Sequence, residues 1–201
     1  DDCSLAVKMK RLMAALEQAH VLESSSTSWV IDSYQGDFTL PFEQESDLEI
    51  RVIHLTRDLR SWVHSRARSG REEGRWLPGL KPMLRWCWMN ARHERLLQRC
   101  PHPVLRLGYE QLALDPEASL RRICTWLGLE MSEQMLQPGH FSTSHVLSGN
   151  RMRFDAKRSA AIRYDASWMA APIGLGQAAL AVPWVAALNR RLVYSVAAEP
   201  R

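Results

Sequence analysis

The chain has 201 residues, 46% hydrophobic and 24% charged, a balance that excludes disordered and fibrous classes and supplies enough residues for one domain, 1–201, with its own core. The formal charge of +4 is modest and no basic stripe with interleaved aromatics accompanies it, so no nucleic-acid partner is expected. Arg supplies 22 of the 26 basic residues; its planar fork suits phosphate and sulfate, but a GC-rich genome produces the same bias, so the count decides nothing by itself.

Four cysteines, Cys3, Cys87, Cys100 and Cys124, form no C-x-x-C pair and no metal-ligand spacing with the histidines, so no metal site is expected. Cys87 and Cys124 fall on apolar helix faces, which predicts buried thiols in a reducing compartment; a disulfide between Cys87 and Cys100 is left open. The chain opens at Asp1 with neither an initiator Met nor a basic-then-apolar leader, as expected of a processed product or a fragment.

In chain order, Leu5, Met9, Leu12, Met13 and Leu16 share one stripe and predict a first helix. A polar loop follows, then a short apolar run at 29–31 that ends in Asp32 and Ser33 and reads as a buried strand. A second strand, 51–57, has Val52, Ile53 and Leu55 at its centre and also ends in charge. Its lack of clean alternation suits a parallel sheet covered on both faces. Leu80, Met83, Leu84, Cys87, Trp88 and Ala91 mark a long amphipathic helix, and 104–109 a third strand. Asp115 and Pro116 start another helix, whose apolar positions are Leu120, Ile123, Cys124 and Leu127 and which Gly128 closes. Helices separate the strands and no hairpin signal joins them, so the expected class is α/β, a parallel sheet flanked by helices.

Residues 169–188 carry no charge over twenty positions, long enough to span a membrane. Pro172 and Pro183 break that helix, Gly174 and Gly176 weaken it, and its alanines add little hydrophobicity. A terminal helix lying on the core is expected instead of a membrane span.

The segment RVIHLTRDLRSWVHS carries the chemistry: a strand delivers Arg57 and Asp58 at its carboxyl end, and the helix after it carries Ser61, His64, Ser65 and Arg68. Ligands of open α/β sheets collect at such ends, where helix amides, Arg57, Arg60 and a serine hydroxyl would hold a phosphate. Ser61 and Ser65, four apart, share a face, so either can complete the site beside Arg57. The bland alternative pairs Arg57 with Asp58 as an ordinary ion pair and makes Asp58 a helix cap.

This segment resembles the sulfotransferase pattern in which a strand ends R-D-P-R and a Ser follows eight residues after the first Arg; Leu59 stands where that family usually has Pro. The resemblance implies that Arg57 and Ser65 hold the 3′-phosphate of 3′-phosphoadenosine 5′-phosphosulfate. It implies a three-layer fold like that of the P-loop nucleotide hydrolases and no metal. LRLGYEQLALDPEASLRRICTWLGL resembles the family's Y-E-x-L, D-P and L-G segment, whose elements are structural, and no catalytic role is given to Glu110. HVLSGNRMRF, 145–154, resembles a loop that lies against the nucleotide in bacterial and carbohydrate sulfotransferases, which implies that Gly149, Asn150, Arg151 and Arg153 do so here. Residues 164–194 show the D-x-x-W beginning and closing Tyr of the family's last helix.

The family's first strand and its Gly/Ser/Thr-rich donor loop have no counterpart; Arg68-Ser69-Gly70 matches by letters only, since it follows the second motif. Upstream residues are expected to supply them. Sulfuryl transfer to a hydroxyl or amine needs positioned cations and a base. Asp32 is the candidate base, at the position where the family often has D-S-S-K and this chain has Asp32-Ser33-Tyr34-Gln35; the exchange of Lys for Gln35 removes a cation from the donor site. His54, mid-strand, is the weaker candidate and reads better as a core residue. The acceptor, a small molecule or a carbohydrate, would be set by the loops 35–47 and 70–81. Cytoplasmic residence is expected, or the Golgi lumen in a eukaryote. The rival function is a noncatalytic nucleotide-binding or scaffold protein; a P-loop kinase would need a G-K-[ST] turn that the sequence does not offer.

Overall fold

A computed structural model describes residues 14, 31, 49–68, 79–137, 162–171 and 174–194. The elements are β1 (Val52–Thr56), α1 (Leu59–Arg68), α2 (Leu80–Leu97), β2 (Val104–Gly108), α3 (Tyr109–Leu114), α4 (Pro116–Leu127) and a 3-10 turn (Glu133–Leu136). They are followed by α5 (Leu175–Ala179) and α6 (Pro183–Asn189), which runs on into a π-helical turn (Arg190–Tyr194). β1 and β2 pair in parallel, Val52 opposite Val104 through Thr56 opposite Gly108. This in-register pairing brings the two carboxyl ends level, so Arg57-Asp58 and Tyr109-Glu110 leave the sheet side by side.

The α/β class and the parallel sheet agree with the sequence, and the two strands lie within one residue of their expected ends. Coverage differs. Ile53 and Leu55 are 41% and 51% exposed, whereas Leu105 and Leu107 on β2 are buried, so β1 follows an alternating pattern rather than being covered on both faces. The core lies between helices: Leu59 and Val63 of α1, Trp86 and Cys87 of α2, Val185 and Leu188 of α6, and Leu192 and Val193 of the π-helical turn.

Local rules account for the helix ends. Asp115 accepts from the Ala118 amide and Pro116 follows it in the first turn of α4, while Gly128 closes that helix at φ 72°. At Gly108 the constraint is space, not φ. A Cβ built there would lie 2.1 Å from the Val193 carbonyl oxygen, so only glycine lets the π-helical turn close over the end of β2.

Cys87, Cys100 and Cys124 are free thiols, which excludes the Cys87–Cys100 disulfide; Cys87 sits inside the helical core and Cys124 against Met135. Residues 169–188 divide into a turn, α5 and α6 instead of one terminal helix, as Pro183 at the first turn of α6 dictates. Among the described residues no helix is long and apolar enough to cross a membrane. Of the expected first helix only Ala14 is described, helical and exposed; of the strand at 29–31 only Ile31 is described, 88% exposed and in no strand. Asp32, Ser33, Tyr34, Gln35, Cys3 and the loop holding Gly149, Asn150, Arg151 and Arg153 lie outside the described residues.

Candidate functional site

β1 delivers Arg57 to the mouth formed by the two strand ends, where three groups fix its guanidinium. Nε donates to Ser61 Oγ at 2.7 Å, Nη2 donates to Asp165 Oδ2 at 3.0 Å, and the guanidinium carbon stands 4.8 Å from the centre of the Tyr109 ring. Trp86 Nε1 donates to the Arg57 carbonyl at 2.9 Å, which ties the backbone of the same residue to α2. Among the described residues Nη1 makes no hydrogen bond, so Arg57 keeps one donor pair for an incoming anion. Ser65 is half-buried one turn beyond Ser61, and on a helix those two positions share a face.

Two readings of this segment are corrected. Arg57 does not pair with Asp58, whose carboxylate is fully buried. Asp58 instead accepts from the Arg60 amide at 2.7 Å and from Nε and Nη2 along one edge of the Arg60 guanidinium at 2.9 Å each, together with Asn189 Nδ2 at 2.9 Å and the Tyr194 hydroxyl at 2.8 Å. Burial alone would raise its pKa; these five donors overcome that and hold it below the ordinary carboxylate value. Asp58 does act as the cap of α1, as the bland alternative held. Arg60, expected as a phosphate ligand, spends Nε and Nη2 on Asp58 and lies over the Trp168 ring at 4.4 Å.

The backbone amides expected to receive an anion are also taken. Those of Asp58, Leu59 and Arg60 donate to Glu110 Oε2, Asn189 Oδ1 and Asp58 Oδ1 at 3.0, 2.9 and 2.7 Å. An anion at this mouth therefore meets side chains rather than the opened turn of a helix.

Glu110, 1% exposed, is the hidden organiser. One oxygen accepts from the Asp58 amide and the other from the Ser61 hydroxyl, at 3.0 Å each. Burial pushes its pKa up, against the pull of those two hydrogen bonds. Asp165 is held below its ordinary value by the Ser167 hydroxyl and amide and by Arg57.

His54 lies mid-strand beside His93, ring centres 6.0 Å apart, and its buried Nδ1 has no hydrogen-bond partner among the described residues. Burial and the neighbouring imidazole lower its pKa to about 4. It is a half-buried histidine three residues before Arg57. Sequence reasoning missed Tyr109, Asp165, Asn189 and Tyr194 as partners of the Arg57 loop. The D-x-x-W motif and the closing Tyr were the only signals for the distal ones.

Among the described residues no cluster of His, Cys, Asp or Glu has metal-binding geometry. No solved structure matches the chain. Residues 49–133 match the sulfotransferase family model, a span that contains Arg57, Ser61, Ser65 and Glu110. Human carbohydrate sulfotransferase 6 is 26% identical over 114 aligned residues, covering 47% of this chain. The alignment spans 29% of that relative's length. The segment that builds β1, α1, α2, β2, α3 and α4 is thus similar to the sulfotransferase family.

Proposed function

We propose that the chain forms one domain and takes part in sulfuryl transfer, binding 3′-phosphoadenosine 5′-phosphosulfate and passing its SO3 unit to a hydroxyl of a carbohydrate. Arg57 carries the reading: its guanidinium is held by Ser61 and Tyr109 while Nη1 stays open at the carboxyl end of the sheet. The 3′-phosphate takes the open edge of Arg57 and the Ser65 hydroxyl, in a charge-assisted contact. Gly149, Asn150, Arg151 and Arg153 are assigned to binding the nucleotide, as the resemblance implies. The carbohydrate acceptor is suggested by the activity in the name of the human relative.

In the transfer itself the acceptor oxygen attacks sulfur in line as the bond to the 5′-phosphate oxygen breaks, and charge builds on that departing oxygen. Asp32 takes the acceptor proton. Positioning and fixed charge supply most of the rate, by analogy with phosphoryl transfer.

Calorimetry with 3′-phosphoadenosine 5′-phosphate tests the donor site. Arg57→Ala is expected to weaken binding about a hundredfold, the loss of one charge-assisted contact to a phosphate, and Ser65→Ala about tenfold. Equal binding by wild type and both variants would sink the assignment.

A further inference from the structure

We propose that Glu110 is a positioning residue for the donor site: through the Ser61 hydroxyl it sets the direction in which Arg57 presents itself to the 3′-phosphate. The inference rests on the donor-site reading of Arg57 and deepens it.

The geometry forms a directed chain. The ionised Glu110 Oε1 accepts, and the Ser61 hydroxyl donates to it at 3.0 Å, closer than its other acceptor, the Asp58 carbonyl at 3.4 Å. That leaves the lone pairs of Ser61 Oγ facing Arg57 Nε at 2.7 Å. Glu110 Oε2 meanwhile holds the Asp58 amide, so the same carboxylate fixes both the backbone after Arg57 and the acceptor of its Nε. With Nε fixed, the guanidinium plane is set and the Nη1 edge is aimed.

A fully buried carboxylate that served the fold alone would need its two hydrogen bonds and nothing more. Here the bonds end on Asp58, next to Arg57, and on Ser61 in the first turn of α1, which itself holds Arg57 Nε; the residue before Glu110, Tyr109, supplies the ring beneath that guanidinium. Adjacent positions at the end of β2 thus grip one side chain from β1, which the in-register pairing makes geometrically direct.

Glu110→Gln keeps size and shape but puts an amide donor where an acceptor stood, turning the Ser61 hydroxyl away from its present direction. The test compares adenosine 3′,5′-bisphosphate with adenosine 5′-monophosphate by calorimetry on wild type, Glu110→Gln, Ser61→Ala and the double variant, each with its urea midpoint recorded. Glu110→Gln is expected to lose about tenfold affinity for the bisphosphate and less than about twofold for the monophosphate. The double variant should bind no worse than Ser61→Ala, because the two changes cut one chain. Equal losses for both nucleotides, or additive losses in the double variant, would overturn the positioning role. A wild-type chain that does not distinguish the two nucleotides would instead overturn the donor-site reading beneath it.

Discussion

The Tyr194 hydroxyl donates to the buried carboxylate of Asp58 at 2.8 Å, joining residues 136 positions apart. The last turn of the described chain is thereby anchored to the residue that caps α1. Desolvation and the Asp58 carboxylate it faces both raise the Tyr194 pKa, so the phenol stays a donor throughout the ordinary pH range. Tyr194→Phe removes a hydrogen bond to a charged group and is expected to cost about 1.5 kcal/mol. Its measure is a lowered urea midpoint at unchanged m.

Asp58 itself should govern the acid limb of stability. Its folded pKa is depressed, so its contribution is complete above the unfolded value and is lost as pH falls through the folded one. Asp58→Asn should destabilise the protein by about 3 kcal/mol near neutrality, since a partner of the Arg60 ion pair disappears from a buried site. The same variant should show a flatter loss of stability below about pH 4 than wild type. An unchanged acid limb would mean that other carboxylates dominate it.

His54 predicts a second, separate pH dependence. Its folded pKa near 4 lies below the ordinary histidine value of 6.5, so the unfolded chain binds the proton more readily between those values. Stability should therefore fall as pH drops from about 6.5 toward 4, by roughly 2 kcal/mol at pH 5. His93, also lowered by burial, adds to the same slope. In His54→Gln the difference in urea midpoint between pH 7.5 and pH 5 should shrink; an undiminished difference would assign the slope elsewhere.

Gly108→Ala tests the closure of the π-helical turn over the sheet. The added methyl would meet the Val193 carbonyl at 2.1 Å, and backbone cannot yield as a flexible side chain does. A destabilisation of about 3 kcal/mol or more is expected from such overpacking, seen as a lowered midpoint in thermal or urea unfolding.

What could be read in the sequence followed from how local its causes are. β1, α2, β2 and α4 were legible because periodicity, Asp115-Pro116 and Gly128 act within a few residues. Arg57 and Ser61 were legible as a group because their spacing alone places one beside the other across the first turn of α1. The fate of Asp58 and Arg60 was not, because it is settled by Asn189 and Tyr194, more than 120 positions away. Glu110 read as structural for the same reason: nothing near it shows that its carboxylate ends on Asp58 and Ser61. The exposure of Ile53 and Leu55 likewise depends on what packs over β1, which the strand's own composition does not encode.

Asp165 holds Nη2 of Arg57, beside the Nη1 edge proposed to bind the anion. Its Oδ2 lies 3.0 Å from Nη2 and the side chain is 46% exposed, so it can swing away at little desolvation cost. It is not required to aim the guanidinium, because Ser61 holds Nε and the Tyr109 ring holds the face. A carboxylate beside an arriving phosphate is repulsive, and exchanging one anion for another on the same fork wastes part of the binding energy. Asp165→Asn is therefore expected to tighten adenosine 3′,5′-bisphosphate binding about threefold, with a steeper dependence on salt, measured by calorimetry at two ionic strengths. Weaker binding in that variant would place Asp165 among the groups that hold Arg57 in position, alongside Ser61, instead of among those it must release.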